Sequence, residues 1–345
     1  MSNLEKDPAE VVLADTGLDT PLRGYSTDEG LRGYSTDEGL RSTGGIVEVL
    51  EPREVPLGGP RALMVRRTLP QRARSLVGAW CFVDSYGPTP APHARTMDTP
   101  PHPHTGLQTV SWLYRGEIEH RDSAGHHALI HPTEVNLMTA GRGIQHSEVS
   151  TDDARELHGV QLWVALPDAN RDVAPRFDTF APEAQTIGDA TLHVFVGGGS
   201  TVPTFTRLYG AQLDLPAGGR VSIPADPGFE YGLIVDAGAP TLQGVAIPAA
   251  HLGVVGTGQS ALEIVAGDGP VRALIIGGEP LNEQIVMWWN FVGRSHDEVV
   301  AFREQWQNEV IGESDPAGRF GELVGYDGDP LPAPALPNVR LRPRE

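Results

Sequence analysis

Two short runs carry the residues best suited to chemistry. His102 and His104 stand in a Pro-His-Pro-His run, and His146 and Glu148 stand in an Ile-Gln-His-Ser-Glu run. Residues i and i+2 of a β-strand point to the same face, so each run can present a pair of ligands. Two such strands facing each other would bring three imidazoles and one carboxylate to one point. That donor set suits a divalent ion such as iron, manganese, nickel, copper or zinc. Its coordination sphere would keep open positions for substrate, dioxygen or water. One carboxylate leaves the ion net positive, which favours a deprotonated phenol or enol as the next ligand. Histidines scattered on exposed loops are the alternative, and the repeated spacing argues against it.

Other histidines fit the pattern less well. His93 has no partner at i+2, and His126 and His127 fall in a Gly-containing turn that suits the surface. His120 and His131 are candidates for supporting roles beside the ligands. His158 opens the apolar run His158 to Val164 and could line a pocket with Val160 and Leu162, leaving Gln161 and Trp163 on the other face. In the second half, His193 and His251 lack a His or carboxylate at i+2, so that half is expected to be metal-free.

These side chains need short strands to hold them. Ile46 to Leu50, Ala62 to Val65, Thr105 to Leu113, Ile118 to Asp122 and Leu157 to Leu166 all read as strands. Leu76 to Val83 is apolar, Asp84 to Pro92 is turn-rich, and the stretch on to Thr99 suits an irregular rim or lid. After a Pro/Asp/Asn-rich linker at 167–175, strands are expected at 191–196, 205–213, 220–223, 230–235, 242–247, 251–255, 260–265 and 271–276. Short strands punctuated by Gly and Pro indicate an all-β barrel or sandwich. We expect two β-barrel units in tandem, 46–166 with the metal and 176–310 without it. One helix follows, Asp297 to Trp306, capped by Ser295, with Val299, Phe302 and Trp306 on one stripe that should pack against a barrel. Residues 311–345 form a Gly/Pro-rich tail expected to wrap the surface. Residues 1–45 carry the nonapeptide LRGYSTDEG twice in succession, a composition that suits a disordered or loosely ordered tail.

Composition narrows the partners. The 345 residues carry a formal net charge of −19, which repels phosphate backbones and disfavours direct nucleic-acid binding. The single cysteine, Cys81 in Trp-Cys-Phe, excludes an intrachain disulfide and suits a buried thiol. No apolar run is long enough to span a bilayer, and the N-terminus lacks a basic stretch leading into an apolar one. The expectation is a cytoplasmic protein, plausible as a monomer.

The run PPHPHTGLQTVSWLYRGEIEHRDSAGH, followed by TAGRGIQHSE and HGVQLWVALP, resembles the pirin family of the cupin superfamily. The stretch GGEPLNEQIVMWWNFVGRSHDEVVAFREQW is similar to that family's C-terminal signature. The resemblance covers about residues 46–320 and leaves out the repeat and the Pro-rich end. It implies a bicupin with two tandem double-stranded β-helix barrels. It also implies one metal, typically iron, held by His102, His104, His146 and Glu148. Members similar to quercetin 2,3-dioxygenase open the flavonol ring with dioxygen and release carbon monoxide. On that analogy Glu148 would also be the catalytic base for a small enolic substrate. Other pirin-like proteins resemble redox-sensing regulatory cofactors, for which a protein partner would replace the substrate.

Overall fold

The computed structural model describes residues 47–57, 63–90, 97–151 and 156–344. The nonapeptide repeat, His93 and part of the expected rim lie outside the described residues. The described residues form short antiparallel strands, with one α-helix among them, His296–Trp306, followed by a single wide turn, Gln307–Ile311.

The expectation of two closed barrels is overturned, because no sheet among the described residues closes on itself. In the first half, a seven-stranded sheet runs Arg176–Phe180, Val135–Thr139, Leu107–Arg115, Glu156–Ala165, Trp80–Pro90, Leu63–Leu69, Arg53–Leu57. A separate four-stranded sheet runs Asp98–His104, Ile144–Ser150, Ile118–Asp122, His127–Ile130. The second half repeats the arrangement with its own sheets of seven and four strands. A barrel requires its first and last strands to hydrogen-bond. Here both edge strands of each large sheet remain edges, so each half is a pair of open sheets enclosing a core. Alternating short strands are compatible with either architecture, which is why the sequence pattern could not separate them.

The two large sheets also pack on each other. Trp80, Val110, Trp112, Leu162 and Val164 of the first meet Phe195, Ile234, Leu252, Leu274 and Ile276 of the second in one buried cluster. Trp112 stacks on Phe195 with ring centroids 4.6 Å apart, and its indole N–H donates to Gln212 Oε1 at 2.8 Å. The Trp80 indole donates to the Gly277 carbonyl at 3.0 Å. Edge strands are exchanged between the halves. Glu48–Leu50 pairs with Leu252–Val255 in the second half's large sheet, and Arg176–Phe180 pairs with Val135–Thr139 in the first half's.

Trp80–Pro90 is a strand of 11 residues where the sequence suggested a turn-rich segment from Asp84 onward. Pro88 and Pro90 fall beyond the last pair it makes with Leu63–Leu69, Arg66 opposite Ser85, so the missing amide donors are not needed on that side. The helix begins as expected, with the Ser295 side chain accepting from the Glu298 amide. Val299 and Trp306 are buried, but in a separate cluster with the Val286–Trp288 and Phe291–Gly293 ribbon, Phe320 and the C-terminal tail. The tail then returns over the first half: Leu331 N donates to Pro101 O at 2.8 Å, Gln145 Nε2 to Gly321 O at 2.5 Å, and Tyr326 Oη to Asp98 at 2.7 Å.

Candidate metal centre

The ligand-bearing strands, Asp98–His104 and Ile144–Ser150, lie side by side in the four-stranded sheet instead of facing each other across a core. His102 and His104 share a face by their i, i+2 spacing, and His146 is the direct cross-strand neighbour of His102. Ligand nitrogens of His102, His104 and His146 all lie within 4.8 Å of one another. A register shift between His146 and Glu148 puts Glu148 opposite Thr99 on the Asp98–His104 strand, while on its other side Glu148 pairs in regular register with His120 of the Ile118–Asp122 strand. Glu148, His146 and His120 form a second group within 4.8 Å. The expected set of His102, His104, His146 and Glu148 is thus distributed over two overlapping triads that share His146. Both candidate groups found among the described residues are in the first half.

The tautomers follow from the partners. His102 Nδ1 is 2.8 Å from the Pro100 carbonyl, so its N–H is spent there and Nε2 keeps its lone pair. Asp122 accepts backbone amides from Ala124 and His126 at 2.9 and 3.0 Å and lies 3.3 Å from His120 Nε2. Burial pushes its carboxyl up, but bonds from His120 and His126 outweigh that and hold it below its ordinary value, so it is an acceptor. His120 Nε2–H therefore donates to Asp122, and His120 Nδ1 accepts from His146 Nδ1–H over 3.4 Å. This leaves His146 Nε2 as a free lone pair. It also makes His120 an orienting residue, its ring stacked on Phe177 at 4.5 Å.

His102 Nε2 and His146 Nε2 are buried without a hydrogen-bond partner, and the buried His104 ring, whose N–H is favoured by the Asn290 backbone, keeps its second nitrogen unpaired. Burial holds all three imidazoles well below the usual histidine range, so they are neutral at neutral pH. Neutral, unpaired, converging nitrogens are what a divalent ion requires, and the residues present fit one.

The large sheet supplies the opposite wall. Asn136, Ser111, Gln161, Asp84 and Arg67 are successive cross-strand neighbours and form one buried polar row. Arg67 and Asp84 close it with two 2.8 Å hydrogen bonds, and the guanidinium lies over Phe82 at 4.3 Å. Ser111 Oγ reaches Gln161 Oε1 at 2.9 Å and Glu148 Oε1 at 3.4 Å. Trp163 meets His104 edge to face at 5.1 Å. The buried Tyr86 hydroxyl has no hydrogen-bond partner; burial and then the Glu148 charge push its pKa well above the phenolic range.

The remaining histidines separate from the site. His158, with Val160 and Leu162, faces the junction between the halves, where its Nε2 lies 2.6 Å from Asp236 Oδ1. Gln161 and Trp163, on the other face of that strand, are the ones that meet the metal centre. Parity separated the two faces in the sequence, but a lone glutamine inside an apolar strand was the only signal for the side that mattered. His127 and His131 are exposed and pair with Glu119 and Glu117. Half-exposed His126 joins the Asp122 carboxylate at 3.0 Å. Cys81 is buried, and burial pushes its thiol up to about 12, which excludes it as a nucleophile at neutral pH. No helix among the described residues is long and apolar enough to cross a membrane.

Known proteins share this architecture. The chain matches the Pirin family model over residues 62–164 and the Pirin C-terminal cupin domain over 210–312. A Pseudomonas aeruginosa protein provisionally named a quercetin 2,3-dioxygenase is 39% identical over 291 residues, covering 83% of this chain and 89% of its own. A pirin-like protein of Caulobacter vibrioides is 33% identical over 263 residues, covering 70% of this chain and 88% of its own. The crystal structure of a quercetin 2,3-dioxygenase from Acinetobacter baumannii superposes with a TM-score of 0.79 at 38% identity, covering 86% of this chain and 97% of that one. Two family models in tandem, and relatives matched over most of their length, make this chain a member of the pirin family within the cupin superfamily.

Proposed function

We propose that this protein is a metal-dependent dioxygenase of the quercetin 2,3-dioxygenase type, acting on flavonols or other small enolic substrates, with iron as its metal. The observation that carries this reading is the convergence of unpaired, neutral imidazole nitrogens from His102, His104 and His146 beside the Glu148 carboxylate. Iron held there would supply Lewis acidity and a path for electrons between substrate and dioxygen. The names of the Pseudomonas and Acinetobacter relatives point to the same chemistry.

The chain's own residues do the rest. The three imidazoles would hold the ion, and Glu148, grouped with His146 and His120, would stand beside them. Its carboxylate oxygen takes the enolic proton of the substrate, acting as general base. Ser111 Oγ stands 3.4 Å from that carboxylate while its proton goes to Gln161 Oε1 at 2.9 Å, so the hydroxyl ties the base to the large sheet. The Phe82–Trp163 stack, with centroids 3.9 Å apart, sets a buried apolar surface beside His104 that keeps water from the imidazoles. The decisive experiment is an aerobic quercetin assay on protein of known elemental content, scored by oxygen uptake and carbon monoxide release. Iron-loaded protein that consumes no flavonol would overturn the activity. A His102→Ala protein with unchanged metal content would overturn the ligand set.

A further inference from the structure

Gln161 is wholly buried in the middle of the strand Glu156–Ala165, between Ser111 and Asp84 on its two neighbours. Its Oε1 accepts from Ser111 Oγ at 2.9 Å, which fixes the amide plane. Its Nε2 is buried and donates to nothing among the described residues. An amide donor left unpaired in a sandwich interior destabilises the fold, and Leu or Met would fill the same volume without that penalty. The residue is also tied to the site. The same Ser111 hydroxyl lies 3.4 Å from Glu148, and Trp163, two residues along the same face, meets His104. Gln161 thus stands on the face of the large sheet that borders the imidazoles, one serine away from Glu148.

We propose that Gln161 is the residue that selects the substrate, its Nε2–H donating to a carbonyl oxygen adjacent to the enol that Glu148 deprotonates. The inference rests on the reading of the site as a metal centre for enolic substrates and adds which enols it accepts. The ligand class is the α-hydroxyketone, in which a carbonyl acceptor stands beside the ionising hydroxyl. A simple phenol offers the hydroxyl without the acceptor and leaves the amide unpaired. Sites built around a buried donor reject analogues that lack its partner for that reason.

The test compares anaerobic binding of maltol, a 3-hydroxy-4-pyranone, with binding of phenol, followed by absorbance on metal-loaded full-length protein. The wild type is expected to prefer maltol. Gln161→Leu is expected to keep its metal content and a melting temperature equal to or above the wild type's. Its maltol affinity should fall about tenfold, the weight of one net hydrogen bond, with phenol affinity unchanged. If that variant loses metal or fails to fold, the decision passes to Gln161→Met, which keeps an unbranched side chain of similar length. A variant that retains the maltol preference overturns the assignment. So does one that loses maltol and phenol affinity equally, which would mark a general packing defect, and so does a wild type without the preference. Quercetin turnover is scored separately. A wild-type protein that prefers maltol yet never consumes quercetin with oxygen removes the dioxygenase reading and leaves Gln161 as the selecting residue.

Discussion

His146 lies directly opposite His102 on the adjacent strand, and their rings stand 4.4 Å apart with no hydrogen bond between them. Each ring spends its Nδ1 outward, His102 on the Pro100 carbonyl and His146 on His120. The inward nitrogens are therefore oriented before any ion arrives. Preorganisation of this kind depends on residues that need not touch the ion.

His120 is one of them. Replacing it with Ala breaks the chain from Asp122 to His146 and leaves the His146 ring free to rotate. Metal affinity is expected to fall by about 10- to 100-fold, the usual cost of removing an outer partner of a ligating histidine. Competition with a chelator measures it; affinity equal to the wild type's would show that His146 is held by packing alone.

Glu148→Gln separates base from scaffold. The amide keeps the shape and the Ser111 contact but cannot take a proton. The variant should retain most of its metal while turnover falls by about 10²- to 10⁴-fold. Full activity in that variant would move the base elsewhere.

Trp112→Ala tests the junction between the halves. The indole is fully buried, stacks on Phe195 and bonds Gln212. Its loss leaves a cavity and an unpaired amide oxygen, so urea unfolding should show a destabilisation of about 3–5 kcal/mol. A loss below ~1 kcal/mol would mean that the two sheets collapse to refill the space.

Acid should weaken the same junction. Burial pushes the Asp236 carboxyl up, but His158 and Arg272 outweigh it and hold it below its ordinary 3.8; Tyr114 and Asp214 also lie nearby. A carboxyl depressed in the folded state stabilises the protein above its unfolded pKa, and that contribution disappears as pH falls through the folded value. Thermal stability should therefore hold from neutral pH down to about 4 and decline below it. In Asp236→Asn that share of the decline should be absent; an unchanged acid profile would assign it to other carboxylates.

Legibility differed from residue to residue. His102 and His104 were readable because their relation is local, one residue apart on one strand. The bond between His120 and His146 was hidden because it depends on which strands become neighbours. Gln161 illustrates an intermediate case. Its side of the strand could be read from alternation, but which side encloses the metal depends on where the second large sheet packs. The strand Trp80–Pro90 was missed because Gly87, Pro88 and Pro90 are turn residues everywhere except beyond the end of a neighbour's register. The open sheets were unreadable because closure depends on the partners of edge strands, and Glu48–Leu50 and Arg176–Phe180 find theirs in the opposite half.

The C-terminal tail has a consequence for how the protein matures. Pro101, beside His102, is held by Leu331, and Thr105, beside His104, is held by Val292. Both strand anchors are made late in synthesis, long after the histidines have left the ribosome. A nascent chain halted between the two halves has its ligands but neither anchor. Metal capture is thus expected to wait for the second half, so that a fragment ending before Val292 carries the ligands yet competes poorly for the ion.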